Sequence, residues 1–238
     1  MLESPTINAN DNHLQQLSAV ILRISKAIDL STLDAVEDVA AANVFQPGSG
    51  TAGRSARTVK NNEQLASGPA ARGVSRTVEA ALRRNDLFMA AAQPKTFCRV
   101  MLSRYEPGMS YETHTDDPLI GGYRADLSFT LFLSPPDSYE GGELVLDAVD
   151  GETSIKLDKG DLVLYPTTCL HRVREVRSGT RLVCIGWIRS LIRLQAHREI
   201  LFDLETATRT VFEREGKSPL FDQLSKIKAN VTRLWAED

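Results

Sequence analysis

His114-Thr115-Asp116, a second histidine at His171 and an arginine at Arg181 are the side chains in this sequence best suited to chemistry. Residues one apart in a β-strand share a face, so His114 and Asp116 are expected to point into one cavity, with His171 arriving from a later strand. Two imidazoles and a carboxylate on one side of an ion, with the opposite positions open, form the donor set that holds ferrous iron for oxygen chemistry. Arg181 adds a planar guanidinium able to grip a carboxylate with two hydrogen bonds, as a 2-oxoglutarate co-substrate requires. The chemistry these residue types point to is that of a dioxygenase.

A His-x-Asp tripeptide is a weak signal by itself, so its setting has to decide. The stretch Arg104-Tyr105-Glu106-Pro107-Gly108-Met109-Ser110-Tyr111 precedes His114, and Lys159-Gly160-Asp161-Leu162-Val163-Leu164-Tyr165-Pro166 precedes His171. Each joins a turn signal to an apolar strand, which puts both histidines where strands begin or end. Arg181 opens the run Arg181-Leu182-Val183-Cys184-Ile185-Gly186-Trp187-Ile188, and period-2 alternation gives it the same face as Val183, Ile185 and Trp187. An arginine among apolar neighbours needs an anion; an isolated one would ordinarily pair with a surface carboxylate. Tyr105 and Tyr111 could add a hydroxyl to the co-substrate carboxylate, the plainer alternative being packing with a satisfied tip. Lys60 and Asn61 are candidates to line a substrate pocket.

Two rival readings use the same residues. One is a zinc-dependent hydrolase with a metal-bound water. The other is a cupin-like metal-binding or iron-sensing module without turnover.

These residues sit in a chain of 238 residues, 42% hydrophobic and 25% charged, enough for one good core and an appendage. A net charge of −3 gives no electrostatic footprint for nucleic acid or an anionic membrane. No apolar stretch reaches transmembrane length and Met1-Leu2-Glu3-Ser4-Pro5 lacks the regions of a signal peptide, so a cytoplasmic location is expected. Cys98, Cys169 and Cys184 are an odd number at unrelated spacings and indicate neither a disulfide framework nor a CxxC zinc site. Cys169 reads as a small buried filler.

The elements that must position the chemistry fall into four stretches. Residues 1–18 are polar, contain His13 and read as a mobile arm. Residues 19–94 form an α/β support region. It opens on a strand over Ala19–Ile24, followed by a helix begun by a capping box at Ser31-Thr32-Leu33-Asp34 and a second helix over Ser75–Ala92 that Pro94 ends. Gly48-Ser49-Gly50-Thr51-Ala52-Gly53 matches GxGxxG, but it follows a helix instead of a strand, so it reads as a flexible loop and not as a dinucleotide site. Residues 95–189 alternate short apolar runs with Gly, Pro, Asp and Ser clusters, the pattern of an antiparallel jelly roll. Residues 190–238 read as two helices in a hairpin, the second capped by Ser218 with Pro219 at its first position, their apolar faces buried on the barrel or in a homo-oligomer. His197, without a partner in the pattern, reads as structural. The fold class expected is α+β: a double-stranded β-helix, or jelly-roll, core with supporting N-terminal helices and a C-terminal helical hairpin.

With Arg104-Tyr105, Gly108-Met109-x-Tyr111-x-x-His114-x-Asp116, Tyr139-Glu140-Gly141-Gly142-Glu143-Leu144, Gly160-Asp161, His171 and Arg181 quoted, the chain resembles the PKHD-type hydroxylases. These are bacterial relatives of the prolyl 4-hydroxylase catalytic domain within the Fe(II)/2-oxoglutarate dioxygenases. The similarity runs from about Val20 to the C-terminus and includes Thr51-Ala52-Gly53 and Val59-Lys60-Asn61-Asn62. It implies His114, Asp116 and His171 as iron ligands and Arg181 as the 2-oxoglutarate residue. It further implies ascorbate as an accessory reductant, molecular oxygen as co-substrate, and a small-molecule or peptidyl substrate whose identity it leaves open. The carboxylate at position 116 argues against the halogenase variant of the chemistry.

Overall fold

The computed structural model describes residues 21–51, 56–148 and 151–237. The expected arm over 1–18 with His13, the first residues of the expected opening strand, and Ala52 and Gly53 of the glycine loop lie outside them. In chain order the first strands are β1 (Leu22–Ile24), β2 (Phe45–Pro47), β3 (Lys60–Asn61), β4 (Glu63–Leu65), β5 (Pro94–Tyr105), β6 (Ser110–His114), β7 (Leu119–Ile120) and β8 (Tyr123–Arg124). Then come β9 (Leu127–Phe132), β10 (Tyr139–Gly141), β11 (Leu144–Ala148), β12 (Gly151–Ile155), β13 (Leu162–Pro166), β14 (His171–Val173), β15 (Val176–Gly179) and β16 (Arg181–Ser190). The helices are α1 (Leu30–Ala42), α2 (Pro69–Leu82), α3 (Asp86–Ala92), α4 (Gln195–Glu215) and α5 (Pro219–Trp235).

Two antiparallel sheets carry the architecture. The larger runs β1-β13-β9-β16-β5-β4-β2 and the smaller β12-β11-β14-β6-β3. Strand β9 explains the arrangement: its sequence Leu-Ser-Phe-Thr-Leu-Phe is buried at every position, as expected of a strand covered on both faces. Leu127, Phe129 and Leu131 pack with Val36, Val78 and Phe88 from the helices. Phe132 packs on the other side with Leu144, Leu146 and Val173 of the smaller sheet. Phe88, with none of its surface exposed, contributes about 2–3 kcal/mol through burial alone. The inward side is therefore a jelly-roll interior, and the outward side is a helix-covered core.

The helices depart from expectation where caps intervene. Helix α1 begins on Asp29, not on a capping box at Ser31. The Asp29 carboxylate accepts from the Thr32 N–H at 2.7 Å and from the Ser31 hydroxyl at 2.7 Å, which draws Ser31 into the first turn. The single helix expected over 75–92 is two. Pro69 starts α2 six residues earlier than expected, as its fixed φ favours at a first turn. Asn85 then interrupts the run, accepting from the Phe88 N–H at 2.9 Å and donating to the Ala27 carbonyl at 3.1 Å. The chain from His171 to Gly179 forms two strands, β14 and β15. Gly48–Thr51 is a 3-10 turn. At the C-terminus, Ser218 accepts from the Phe221 N–H and Pro219 opens α5 as read from the sequence. His197 stacks on Trp235 with 3.9 Å between ring centres. No helix among the described residues is long and apolar enough to cross a membrane.

Candidate active site

The sheet register brings the histidines together. Strand β6 ends at His114, β14 begins at His171, and the two are direct cross-strand partners with 4.2 Å between ring centres. Each ring is oriented by a backbone carbonyl two residues earlier in sequence: Nδ1 of His114 lies 2.7 Å from the Glu112 oxygen, and Nδ1 of His171 lies 3.0 Å from the Cys169 oxygen. A carbonyl can only accept, so both Nδ1 atoms carry the hydrogen and both Nε2 atoms keep a lone pair for an ion. Burial, and then the neighbouring His171, pull the pKa of His114 down to about 4, so the ring is neutral and able to ligate at physiological pH.

Asp116 reaches the site differently from the sequence expectation. Strand β6 stops at His114, so no shared strand face aligns the carboxylate. Asp116 lies in the following loop, and Ser128 of β9 holds it: the Ser128 hydroxyl donates to Asp116 Oδ2 at 2.6 Å. Its other oxygen, Oδ1, stands 3.8 Å from His171 Nε2. One ligand atom from each of His114, Asp116 and His171 lies within 4.8 Å of the others. Two neutral imidazole nitrogens and a fixed carboxylate oxygen at that spacing fit a divalent first-row metal.

Arg181, only 1% exposed, lines the same cavity. Among the described residues it makes no ion pair, and its Nε has no hydrogen-bond partner. The register of β16 on β5 sets it opposite Tyr105, with the guanidinium 5.0 Å from the Tyr105 ring centre and 5.7 Å from that of Phe132. A buried, unpaired guanidinium costs several kcal/mol unless an anion joins it, so the cavity is built to receive one. Gly142 makes room for the arginine: a Cβ there would stand 2.9 Å from Arg181 Cδ, and its φ of +67° disfavours any side chain. Gly141 answers a different neighbour, since a Cβ there would collide with the Glu175 carbonyl oxygen.

The two candidate tyrosines occupy different places. Tyr105 is buried against Arg181, and burial raises its pKa while the guanidinium opposes the rise. Tyr111 stacks on His114 at 3.6 Å. Lys60 lines the cavity with its ammonium 5.2 Å from the Tyr111 ring centre, whereas Asn61 turns away and donates to the Gly108 carbonyl. Sequence reasoning missed Ser128, Arg99 and Tyr165, all of which line the cavity. The signal for Ser128 was present: Ser128 and Thr130 alternate with apolar residues in β9, marking a polar inner face.

A jelly roll with convergent His, Asp and His donors at one point and a buried arginine beyond them defines the class of Fe(II)/2-oxoglutarate oxygenases. The sequence profile of the 2OG-Fe(II) oxygenase superfamily matches residues 100–189. A PKHD-type hydroxylase of Maricaulis maris is 48% identical over 219 residues, 92% of this chain and 100% of that protein. One from Parvibaculum lavamentivorans is 50% identical over 218 residues, 92% of this chain and 98% of its own length. In fold, the chain is similar to a 2OG-Fe(II) oxygenase family oxidoreductase from Burkholderia pseudomallei, with a TM-score of 0.53 at 16% identity over 73% of this chain and 85% of that one. A Pseudomonas putida prolyl-4-hydroxylase gives 0.51 at 18% identity over 71% and 92%. The chain belongs to the PKHD-type hydroxylases. It is an Fe(II)- and 2-oxoglutarate-dependent dioxygenase, and the hydrolase and turnover-free binding readings are set aside.

Proposed function

We propose that His114, Asp116 and His171 hold the ferrous ion, that Arg181 takes the distal carboxylate of 2-oxoglutarate, and that the remaining cavity admits a small-molecule or peptidyl substrate for hydroxylation. The observation that carries this reading is the burial of Arg181 without a counter-ion in the cavity where the three ligand atoms converge. The ferrous ion, when bound, supplies the oxygen activation that couples conversion of 2-oxoglutarate and O₂ to succinate and CO₂ with transfer of one oxygen atom to substrate. The protein's own part is positional. Ser128 fixes the carboxylate, the two carbonyls fix the imidazole tautomers, and Arg181, with the Tyr105 ring packed against it, orients the co-substrate from its far end. Leu144, Val173 and Ile185 give the cavity an apolar wall. Ascorbate would serve as an accessory reductant only.

Residues 95–189 then form the catalytic unit, 19–94 its support and 190–238 a helical appendage. Helix α5 has no fully buried residue and exposes Leu220, Ile227 and Leu234, which supports self-association through the C-terminal hairpin. The even mix of charge supports a partner set without nucleic acid or membrane. Three free cysteines are in keeping with the reducing cytoplasm. The test of the site is calorimetry under anaerobic conditions: 2-oxoglutarate should bind only when a divalent metal is present, and each of H114A, D116A and H171A should abolish that metal-dependent binding. Binding of 2-oxoglutarate that ignores both metal and these substitutions overturns the assignment.

A further inference from the structure

Arg181 has a second tyrosine beside it. Tyr139, the first residue of β10, is only 3% exposed and stands outside the cavity lining. Its ring and the arginine stem meet at Gly142, where a Cβ would lie 2.9 Å from Arg181 Cδ and 3.1 Å from Tyr139 Cε2. Cδ is bonded to Nε, and Cε2 neighbours the carbon that bears the hydroxyl, so the two polar atoms share one corner of the interior. Both are buried, and among the described residues neither has a hydrogen-bond partner. The hydroxyl nonetheless feels the guanidinium: burial raises the Tyr139 pKa, and Arg181 opposes the rise by its charge and its nearness as a donor. The tyrosine itself is pinned. The Lys156 ammonium sits 3.9 Å over the ring centre and donates to the Tyr139 carbonyl at 2.6 Å. Across the β10–β15 pair stands Gly179, where a Cβ would fall 2.8 Å from Tyr139 Cα. The longer arginine side chain is therefore the partner that can adjust. A phenylalanine would fill the same space, whereas a buried hydroxyl left unpaired is destabilising.

We propose that Tyr139 is a positioning residue for Arg181: its hydroxyl accepts from Arg181 Nε when 2-oxoglutarate is bound, which turns the two terminal nitrogens as one fork toward the distal carboxylate. A guanidinium can meet a carboxylate end-on, through its two terminal nitrogens, or side-on, through Nε and one of them. Occupying Nε with a hydroxyl removes the side-on choice, and a single hydrogen bond satisfies both buried orphan atoms. This rests on the assignment of Arg181 to the far end of the co-substrate made above.

The test compares 2-oxoglutarate with 2-oxovalerate, which keeps the keto-acid end and the chain length but carries a methyl group in place of the far carboxylate. Both are titrated by calorimetry into the Zn(II)-loaded full-length protein as wild type, Y139F, R181M and Y139F/R181M. Wild type is expected to favour 2-oxoglutarate and R181M to lose that preference. Should wild type bind both acids equally or neither, or R181M keep the preference, the assignment of Arg181 falls and the proposal with it. Y139F is expected to bind 2-oxoglutarate about fivefold or more weakly than wild type, as for loss of a hydrogen bond to a charged group acting at one remove, with 2-oxovalerate held within about threefold. In R181M the hydroxyl has no guanidinium to hold, so adding Y139F is expected to change 2-oxoglutarate affinity by less than about threefold. Urea unfolding of the apoprotein supplies a separate readout, since Y139F removes an unpaired hydroxyl and is expected to leave the midpoint unchanged or raised. Four results would each overturn the proposal while leaving Arg181 in place: a Y139F affinity for 2-oxoglutarate within about threefold of wild type, equal weakening of both acids, the same loss in the R181M background, or a Y139F protein that unfolds well before wild type or does not fold.

Discussion

Replacing Arg181 with methionine separates a binding arginine from a structural one. The stem and volume are roughly kept while the guanidinium is lost. In the free protein that charge is 1% exposed and has no counter-ion among the described residues, so its removal relieves a desolvation cost; replacement of buried charge by apolar groups is commonly neutral or stabilising. On the proposed assignment, the same change deletes two charge-assisted hydrogen bonds to bound 2-oxoglutarate, each worth about 1.5–3 kcal/mol. The predicted loss is therefore about 3–6 kcal/mol of 2-oxoglutarate binding, at least about a hundredfold in Kd, with the apoprotein melting temperature unchanged or raised. Calorimetry of 2-oxoglutarate on metal-loaded protein and thermal unfolding of apoprotein measure the two quantities independently. An R181M protein that binds 2-oxoglutarate within about threefold of wild type and unfolds well below it would show the arginine to be a packing element, refuting the reasoning.

Other expectations can be checked with single substitutions. S128A, which frees one oxygen of Asp116, should weaken metal binding about 10- to 100-fold in a competition titration with a chelating dye, and unchanged affinity would mean that the loop alone fixes the carboxylate. D116A should abolish 2-oxoglutarate-dependent succinate formation; undiminished succinate would remove Asp116 from the site. G142A forces a methyl group against Arg181 and Val176 at a positive φ, and should cost about 1–3 kcal/mol in urea unfolding while also weakening 2-oxoglutarate binding. For pH, folding depresses the His114 pKa, so the folded state favours the neutral ring. Its contribution to stability is complete above about pH 6.5 and is lost as pH falls toward 4. Urea midpoints of apoprotein H114Q should decline less over that interval than those of wild type, and parallel curves would contradict the assignment.

The sequence was most legible where one residue type at one period has a single consequence. Arg181, alternating with Val183, Ile185 and Trp187, could face only an apolar interior, and it lines the cavity together with Ile185 and Trp187. Ser218 and Pro219 announce a helix start by local chemistry alone, and α5 begins there. Legibility failed where a distant partner decides. Asp116 was aligned by strand periodicity, yet it is Ser128, twelve residues on in the opposite sheet, that positions it. The helical pattern through Ser75–Ala92 is continuous in apolar spacing, and the break at Asn85 follows from a bond to Ala27 that no local window contains. Arg99 carries no mark in its own strand, because its place beside the cavity exists only once the two sheets face each other.

The direct pairing of His114 with His171 gives the two kinds of proposed metal donor unequal durability. The imidazoles are locked to the hydrogen-bond ladder, so their separation is set by the register and not by the chain between the strands, whereas a slip of one strand by one residue would turn its histidine to the other face. Among the described residues the carboxylate has no such ladder, only a hydroxyl from the other sheet. Drift within this scaffold should therefore erode the acidic donor first and leave a two-nitrogen socket with an additional vacant coordination position.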